Sequence, residues 1–153
     1  SFILDGNVYR GNTGSACEIG YMLDGNISFQ DRGSMKTLVD HIRNKKCDLS
    51  WTGERIFSSA KQGDPDCVEA IISMLDSLAR GISNVCYVLN PKVVVLGGGF
   101  TGQGQWLEEE IRKNIKKYLL PIIFDNMEFK FALYKNDAGM IGAFYNFKNR
   151  QNL

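Results

Sequence analysis

A run of β-branched residues that ends in three consecutive glycines constrains the fold of this chain more than any other feature. The run Val93–Leu96 is followed directly by Gly97, Gly98 and Gly99. A short apolar run of this kind predicts a strand that is buried on both faces of a parallel or mixed sheet. Ligands of open α/β sheets bind at the carboxyl ends of the strands. The glycine turn is therefore the leading candidate for a ligand site.

The glycine turn has the chemistry of a nucleotide site. Without Cβ atoms the backbone can approach a ligand closely, and N–H groups near a helix start can face phosphate. Gly97, Gly99 and Gly102 also satisfy the dinucleotide pattern G-x-G-x-x-G. A dinucleotide site requires an acidic residue at the end of the next strand, where residues 134–136 are Tyr, Lys and Asn. The pattern disfavours a dinucleotide and leaves a generic nucleotide turn and a structural turn open.

The longest predicted helix begins at Pro65. Asp64 is a preferred N-cap residue and Pro65 suits the first helical position, after which apolar residues recur every three or four positions. The pattern stops at Asn90-Pro91 because proline cannot continue a helix. Gly81 lies within this helix, where we expect it to mark a close crossing with another helix.

The other predicted elements place this helix in an α/β chain. Asp-Gly-Asn at residues 5–7 predicts a hairpin. Apolar spacing predicts helices over 34–46 and within 51–62, a solvated outer helix after the glycines, a strand over 128–134 and a last helix from about 137. This order predicts an α/β fold in a single domain over residues 1–153.

Composition and charge exclude several functional classes. Lys and Arg number 18 against 17 Asp and Glu, so the net charge is +1 and no nucleic-acid surface is expected. No apolar run approaches the roughly 20 residues of a membrane span. The four cysteines form no C-x-x-C pair, which favours a reduced cytosolic compartment. The chain begins without Met in what resembles a strand, so we expect a longer protein.

A glycine-rich loop over residues 11–17 leads to Glu18. Small residues allow such a loop to approach a ligand or another backbone segment closely. Glu18 could accept hydrogen bonds from ligand hydroxyls, and it is equally compatible with a loop carboxylate in water. The residues alone leave both interpretations open.

Five segments occur in the order in which one protein family carries them: residues 9–21, 57–65, 78–84, 90–99 and 136–143. They resemble Y-R-G-x-x-G-x-A-G-E-x-G-H, F-x-x-A…G-D-x, L-A-x-G-I-x-N, N-P-x-x-I-V-L-G-G-G and D-A-G-x-x-G-A of the ROK family (repressors, open reading frames and sugar kinases). The resemblance covers nearly the whole chain. It implies the actin-like ATPase (ribonuclease H-like) fold, of which this chain would be the C-terminal half.

The resemblance implies a two-domain, ATP-dependent sugar kinase that is cytoplasmic and homodimeric. Glu18 matches a carboxylate that binds sugar hydroxyls, and Tyr21 occupies a second sugar-contacting position. Gly97, Gly98 and Gly99 match the turn that lines the nucleotide, while Mg²⁺ would meet the phosphoryl charge. The catalytic Asp belongs to the family's N-terminal half, so this segment is expected to be inactive alone.

Three departures concern the family's usual zinc and sugar ligands. Tyr21 stands in place of His, and no cysteine lies between residues 22 and 35. We therefore expect no zinc. The third departure is Lys36, which replaces a sugar-binding Glu. Apart from these ligand positions, Cys17 replaces the usual Gly. Two alternatives to a kinase stay open: the sugar-sensing and dimerisation module of a transcriptional repressor, and a catalytically silent sugar-binding protein.

Overall fold

The computed structural model describes residues 1–134 and 137–151. Lys135 and Asn136, which were predicted at the end of the strand that follows the glycine turn, lie outside these residues. The chain divides into two compact units, residues 1–85 and 86–153, and each is described by itself. The single domain expected over residues 1–153 stays a prediction.

Two short hairpins lie near the start of the first unit. β1 (Ile3–Leu4) pairs antiparallel with β2 (Asn7–Val8), and β3 (Leu23–Asp24) pairs in the same way with β4 (Ile27–Ser28). Asp5 and Gly6 connect β1 to β2 and have positive φ angles of 51° and 77°. A two-residue hairpin turn of type I′ needs positive φ at both of its central residues. The hairpin predicted around residues 5–7 is therefore confirmed.

Helices make up the rest of the first unit: α1 (Phe29–Gly33), α2 (Met35–Lys46), α3 (Gly53–Lys61) and α4 (Pro65–Leu89), of which α4 continues into the second unit. Although α4 has 25 residues, no helix in the described part of the chain combines the length and apolarity that crossing a membrane requires. The buried apolar side chains of this unit include Leu38, Ile42, Ile56, Phe57, Ile71, Met74 and Leu75.

The ends of α4 follow the signals in the sequence. Oδ1 of Asp64 accepts hydrogen bonds from the backbone N–H groups of Asp66 and Cys67, at 3.0 and 3.2 Å. These bonds satisfy donors that the first helical turn leaves unpaired. At the other end Asn90 has a φ of 42° and precedes Pro91. Both predicted boundaries of this helix are confirmed.

A pair of parallel strands forms the centre of the second unit. β5 (Val93–Leu96) lies beside β6 (Glu128–Phe131), with Val93 opposite Glu128 and Leu96 opposite Phe131. The connection contains α5 (Gln105–Ile115) and α6 (Pro121–Phe124), since parallel strands need a crossover. α7 (Ala138–Arg150) follows. The predicted α/β class and the strand, glycine turn, helix order are confirmed.

The prediction that β5 is buried on both faces is wrong. Val93 is 38% exposed and Val95 is 57% exposed, whereas the alternate residues are partly buried. A parallel strand is covered on both faces only where other elements lie on both sides of its sheet. Within the described residues this sheet consists of β5 and β6, and one face of β5 carries the exposed valines. The second strand ends at Phe131, three residues before the predicted end at 134.

Candidate functional site

The glycine turn begins where β5 ends. Gly98 has a φ of 106°, a conformation that side-chain-bearing residues rarely adopt. The Thr101 hydroxyl donates a 2.7 Å hydrogen bond to the carbonyl of Gly98, which fixes the turn. A Cβ on Gly97 would lie 3.5 Å from Cβ of Ala132, whereas one on Gly99 would meet nothing within 4 Å. The turn is thus held against the end of β6 and leaves open space at Gly99.

A cleft of about 460 Å³ lies in this part of the second unit. We call it the α5 cleft; its lining residues are Thr101, Gly104, Gln105, Glu108, Glu109, Arg112, Phe131 and Ala132. One wall is the polar face of α5 and the other is the carboxyl end of β6. Because the backbone N–H of Ala132 donates a 2.7 Å hydrogen bond to the carbonyl of Leu96, the residue before Gly97, the cleft adjoins the turn at the strand ends, where open α/β sheets bind ligands.

The charged and polar side chains on one face of α5 differ in their interaction partners. Glu109 accepts a 2.8 Å hydrogen bond from the side-chain amide of Gln105. The guanidinium of Arg112 lies 5.1 Å from the ring centroid of Phe124, within cation–π range. Glu108 is half-buried, and it makes no hydrogen bond or ion pair within residues 1–134 and 137–151. Within the described residues, Glu108 is therefore the half-buried carboxylate of the cleft with both oxygens available to a ligand, whereas one oxygen of Glu109 is engaged by Gln105.

This wall of the cleft was not predicted, because a helix with one polar face is typical of a solvated outer helix. The only available signal was the spacing of residues 105, 108, 109 and 112, which places them on one side of a helix. That spacing does not show which strand end faces this side of the helix. The cleft is therefore visible only in the structure.

Glu18 and Tyr21 lie in the first unit, at the two ends of a single 3-10 turn. Glu18 is the N-cap residue of the turn Ile19–Tyr21, and its carbonyl accepts a 3.2 Å hydrogen bond from the backbone N–H of Tyr21. The carboxylate of Glu18 makes no capping hydrogen bond and is exposed. The Tyr21 side chain is 70% exposed. Both side chains are accessible to a ligand, and their predicted roles in sugar binding stay predictions.

The loop before Glu18 is tightly folded. The backbone N–H of Ala16 donates a 3.2 Å hydrogen bond to the carbonyl of Arg10. A Cβ on Gly11 would lie 2.9 Å from that of Ala16, so only glycine fits without movement of the loop. Cys17 has a φ of 64°, in the left-handed region that glycine adopts most easily. The backbone therefore explains why glycine suits position 17.

Metal-binding residue types do not cluster in the described residues: no group of three or more His, Cys, Asp or Glu side chains is placed to hold an ion. Lys36 is exposed in the first turn of α2, so an ammonium occupies the place where the resemblance indicates a carboxylate. The absence of zinc stays a prediction, which metal analysis of the purified protein tests directly.

Comparison with known proteins gives matches that cover from 66% to nearly all of the chain. The family model described as "ROK family" matches residues 1–150. An uncharacterized protein of Clostridium perfringens is 39% identical over 99% of this chain and 52% of its own length. A glucokinase of Halalkalibacterium halodurans is 33% identical over 66% of this chain and 31% of its own length. The chain thus spans about half the length, or less, of these curated relatives.

A solved structure shows the same fold. The ROK family glucokinase of Streptomyces griseus, in complex with glucose and AMPPNP, superposes with a TM-score of 0.79 over 92% of this chain and 54% of that chain. Sequence identity between the two is 21%, so this likeness concerns the fold. The actin-like ATPase (ribonuclease H-like) fold that the sequence segments implied is confirmed.

Proposed function

This chain belongs to the ROK family, and from this membership we propose that it forms part of an ATP-dependent sugar kinase. The observation that carries the proposal is the α5 cleft, which adjoins Gly97, Gly98 and Gly99 at the carboxyl ends of two parallel strands. The glucokinase relative at 33% identity supports a kinase by sequence. The AMPPNP bound to the glucokinase of the same fold supports ATP as the phosphoryl donor.

In this proposal the glycine turn and Glu18 contact different substrates. The backbone of the glycine turn faces the nucleotide, where successive N–H groups favour phosphate. Glu18 accepts hydrogen bonds from the sugar hydroxyls, and Tyr21 provides a second contact beside it. Sugar choice then depends on hydroxyl contacts, since a buried polar group left unpaired penalises the wrong sugar.

Mg²⁺ is the metal that this chemistry needs. Mg²⁺ neutralises the charge that develops on the transferred phosphoryl group. It keeps several waters and binds mainly through nucleotide phosphates and one or two carboxylates, so it requires no cage of protein ligands. We propose that the Asp that deprotonates the sugar hydroxyl lies in the part of a ROK kinase that this chain does not match, and that these residues are inactive alone.

Family resemblance also suggests a cytoplasmic homodimer that binds sugar and ATP and uses this segment for neither nucleic acid nor membrane. A sugar-sensing and dimerisation module of a ROK repressor is the second candidate, and a catalytically silent sugar-binding protein is the third. The observations in their favour are the exposed Tyr21 and Lys36, which replace the family's usual sugar contacts.

A phosphorylation assay tests the proposal. The complete polypeptide that contains these residues would be incubated with ATP, Mg²⁺ and a panel of hexoses, amino sugars and β-glucosides. Phosphorylation of any of them would support the kinase and identify its substrate class. Sugar binding by calorimetry without turnover would favour the repressor or the silent protein, and neither binding nor turnover would contradict all three.

A further inference from the structure

Glu108 differs from its acidic neighbours on α5 in having no partner within the described residues. Glu109 already accepts a hydrogen bond from Gln105. Glu110 lies 3.5 Å from the ammonium of Lys113 and does not line the α5 cleft. Glu108 lines the cleft and is half-buried, and neither of its oxygens makes a hydrogen bond or ion pair within residues 1–134 and 137–151. Its carboxylate therefore combines a place in the cleft with unused acceptor capacity.

A carboxylate in this position selects for hydrogen-bond donors. Two oxygens with about four lone-pair sites can accept from two adjacent hydroxyls at once. Phosphate oxygens are acceptors and carry negative charge, so they are disfavoured beside Glu108 and favoured near the glycine turn. The cleft continues about 10 Å along α5 from Gln105 to Arg112, which leaves room for a sugar ring beyond the phosphates.

We propose that Glu108 accepts hydrogen bonds from the vicinal 2′- and 3′-hydroxyls of the ribose of a nucleotide bound in the α5 cleft. This inference rests on the proposed function, because it assumes that the glycine turn binds a nucleotide. A carboxylate that holds the ribose diol is a recurring device in nucleotide sites. Here it comes from the helix after the glycines rather than from the end of the next strand.

Nucleotide discrimination provides the test. Dissociation constants of ATP and 2′-deoxy-ATP would be measured by calorimetry for the wild-type polypeptide, Glu108→Ala and Glu110→Ala. We expect the wild type to bind 2′-deoxy-ATP about tenfold more weakly than ATP, since a hydrogen bond to a charged group is lost. Glu108→Ala should weaken ATP by a similar factor and bring the ratio of the two constants close to one. Glu110→Ala is the matched control and should retain the wild-type ratio.

A structural role for Glu108 would give a different result. Glu108 lies in the first turn of α5, where its charge also stabilises the helix through the dipole. Loss of that effect would lower the thermal stability and weaken both nucleotides equally, whereas a ribose contact changes the ratio. Glu108→Gln keeps the size of the side chain and should reduce the discrimination partially, provided that thermal unfolding shows an intact fold.

The outcomes separate this inference from the proposed function. Tight ATP binding with unchanged discrimination in Glu108→Ala would overturn the inference and leave the nucleotide site intact. A hexose also offers a vicinal diol, so loss of hexose binding with normal ATP binding would assign Glu108 to the sugar instead and overturn the inference. Failure of the wild type to bind ATP at all would contradict the nucleotide site and the inference together.

Discussion

The ring of Phe29 lies directly against Gly81 of α4, so closely that a Cβ on Gly81 would overlap Cε2 of the ring. Gly33, at the other end of α1, lies close to the backbone of Leu78, which like Gly81 belongs to α4. The sequence predicted that Gly81 marks a close helix crossing, and this prediction is confirmed, with α1 as the neighbouring helix. The contact fixes α1 on α4, and α1 also packs against the 3-10 turn that Glu18 precedes.

Replacing Gly81 by alanine should destabilise the first unit. Overpacking costs about 1–3 kcal/mol, while the better helix propensity of alanine returns about 1 kcal/mol. The net loss in the free energy of unfolding is therefore at most about 2 kcal/mol. A loss of that size should lower the Tm by roughly 4–8 °C. Thermal unfolding followed by circular dichroism measures both changes.

Gly142 provides the matched control for this substitution. It lies in α7, and a Cβ there would meet nothing within 4 Å. Gly142→Ala should therefore stabilise the chain by up to about 1 kcal/mol. Gly81→Ala should destabilise the Phe29→Ala variant less than it destabilises the wild type, because the ring that obstructs the methyl group is then absent. Equal effects of Gly81→Ala in the presence and absence of the ring would contradict the clash.

Two lysines of α2 and two aspartates at the start of α4 form an ion-pair network that should make stability depend on pH. Lys46 lies 3.1 Å from Asp64, and Lys45 lies 3.0 Å from Asp66. The Cys67 N–H and Lys46 hold the pKa of Asp64 below its ordinary value, and Lys46 and Lys45 do the same for the pKa of Asp66. Hydrogen bonds to Asp66 raise the pKa of both lysines.

The direction of these shifts defines the pH window. The aspartate pKa values are lowered in the folded chain, so their stabilising contribution is complete above about pH 4 and is lost as the pH falls through the folded values. The lysine pKa values are raised, so their contribution is present below 10.5 and is lost as the pH rises through the folded values. Urea unfolding across this range should show a plateau that declines at both ends.

Asp64→Asn isolates the charge from the helix cap, because asparagine caps a helix about as well as aspartate. We expect this variant to be less stable than the wild type at neutral pH and to approach it in acid. Added salt should reduce the difference, since the groups are partly exposed. A difference that stays constant from pH 7 to pH 2 would contradict the contribution of the ion pairs.

Position 17 should favour glycine over cysteine. Cys17 has a φ of 64°, and a left-handed conformation costs a side-chain-bearing residue roughly 1–2 kcal/mol. Part of the gain is offset by the conformational entropy of glycine, about 0.5–1 kcal/mol. We therefore expect Cys17→Gly to stabilise the chain by up to about 1.5 kcal/mol, and Cys17→Val to destabilise it. Urea unfolding of the three proteins measures the order, and a valine variant more stable than the wild type would contradict it.

Features of the fold that depend on residues close together in the sequence were predicted more successfully than features that depend on residues far apart. The ends of α4 follow from Asp64, Pro65 and Asn90, which act on the backbone within a few residues, and the structure agrees. The α5 cleft depends on the parallel register that brings Ala132 beside Gly97, across more than thirty residues of chain. No local pattern encodes that pairing, so the place of Glu108 was missed. For the same reason β5 was expected to be covered on both faces.

Glu18 should affect the sugar and not the nucleotide. Its exposed carboxylate makes no capping hydrogen bond, so replacement by alanine removes a hydroxyl acceptor at little cost to the fold. In the complete polypeptide we expect Glu18→Ala to raise the KM for sugar or to abolish turnover, while ATP binding stays near the wild-type value. Glu54→Ala, which removes an exposed carboxylate from the first turn of α3, is the control and should leave both parameters unchanged. Steady-state kinetics against sugar and calorimetry with ATP separate the two effects, and unchanged sugar kinetics in Glu18→Ala would contradict the role proposed for this residue.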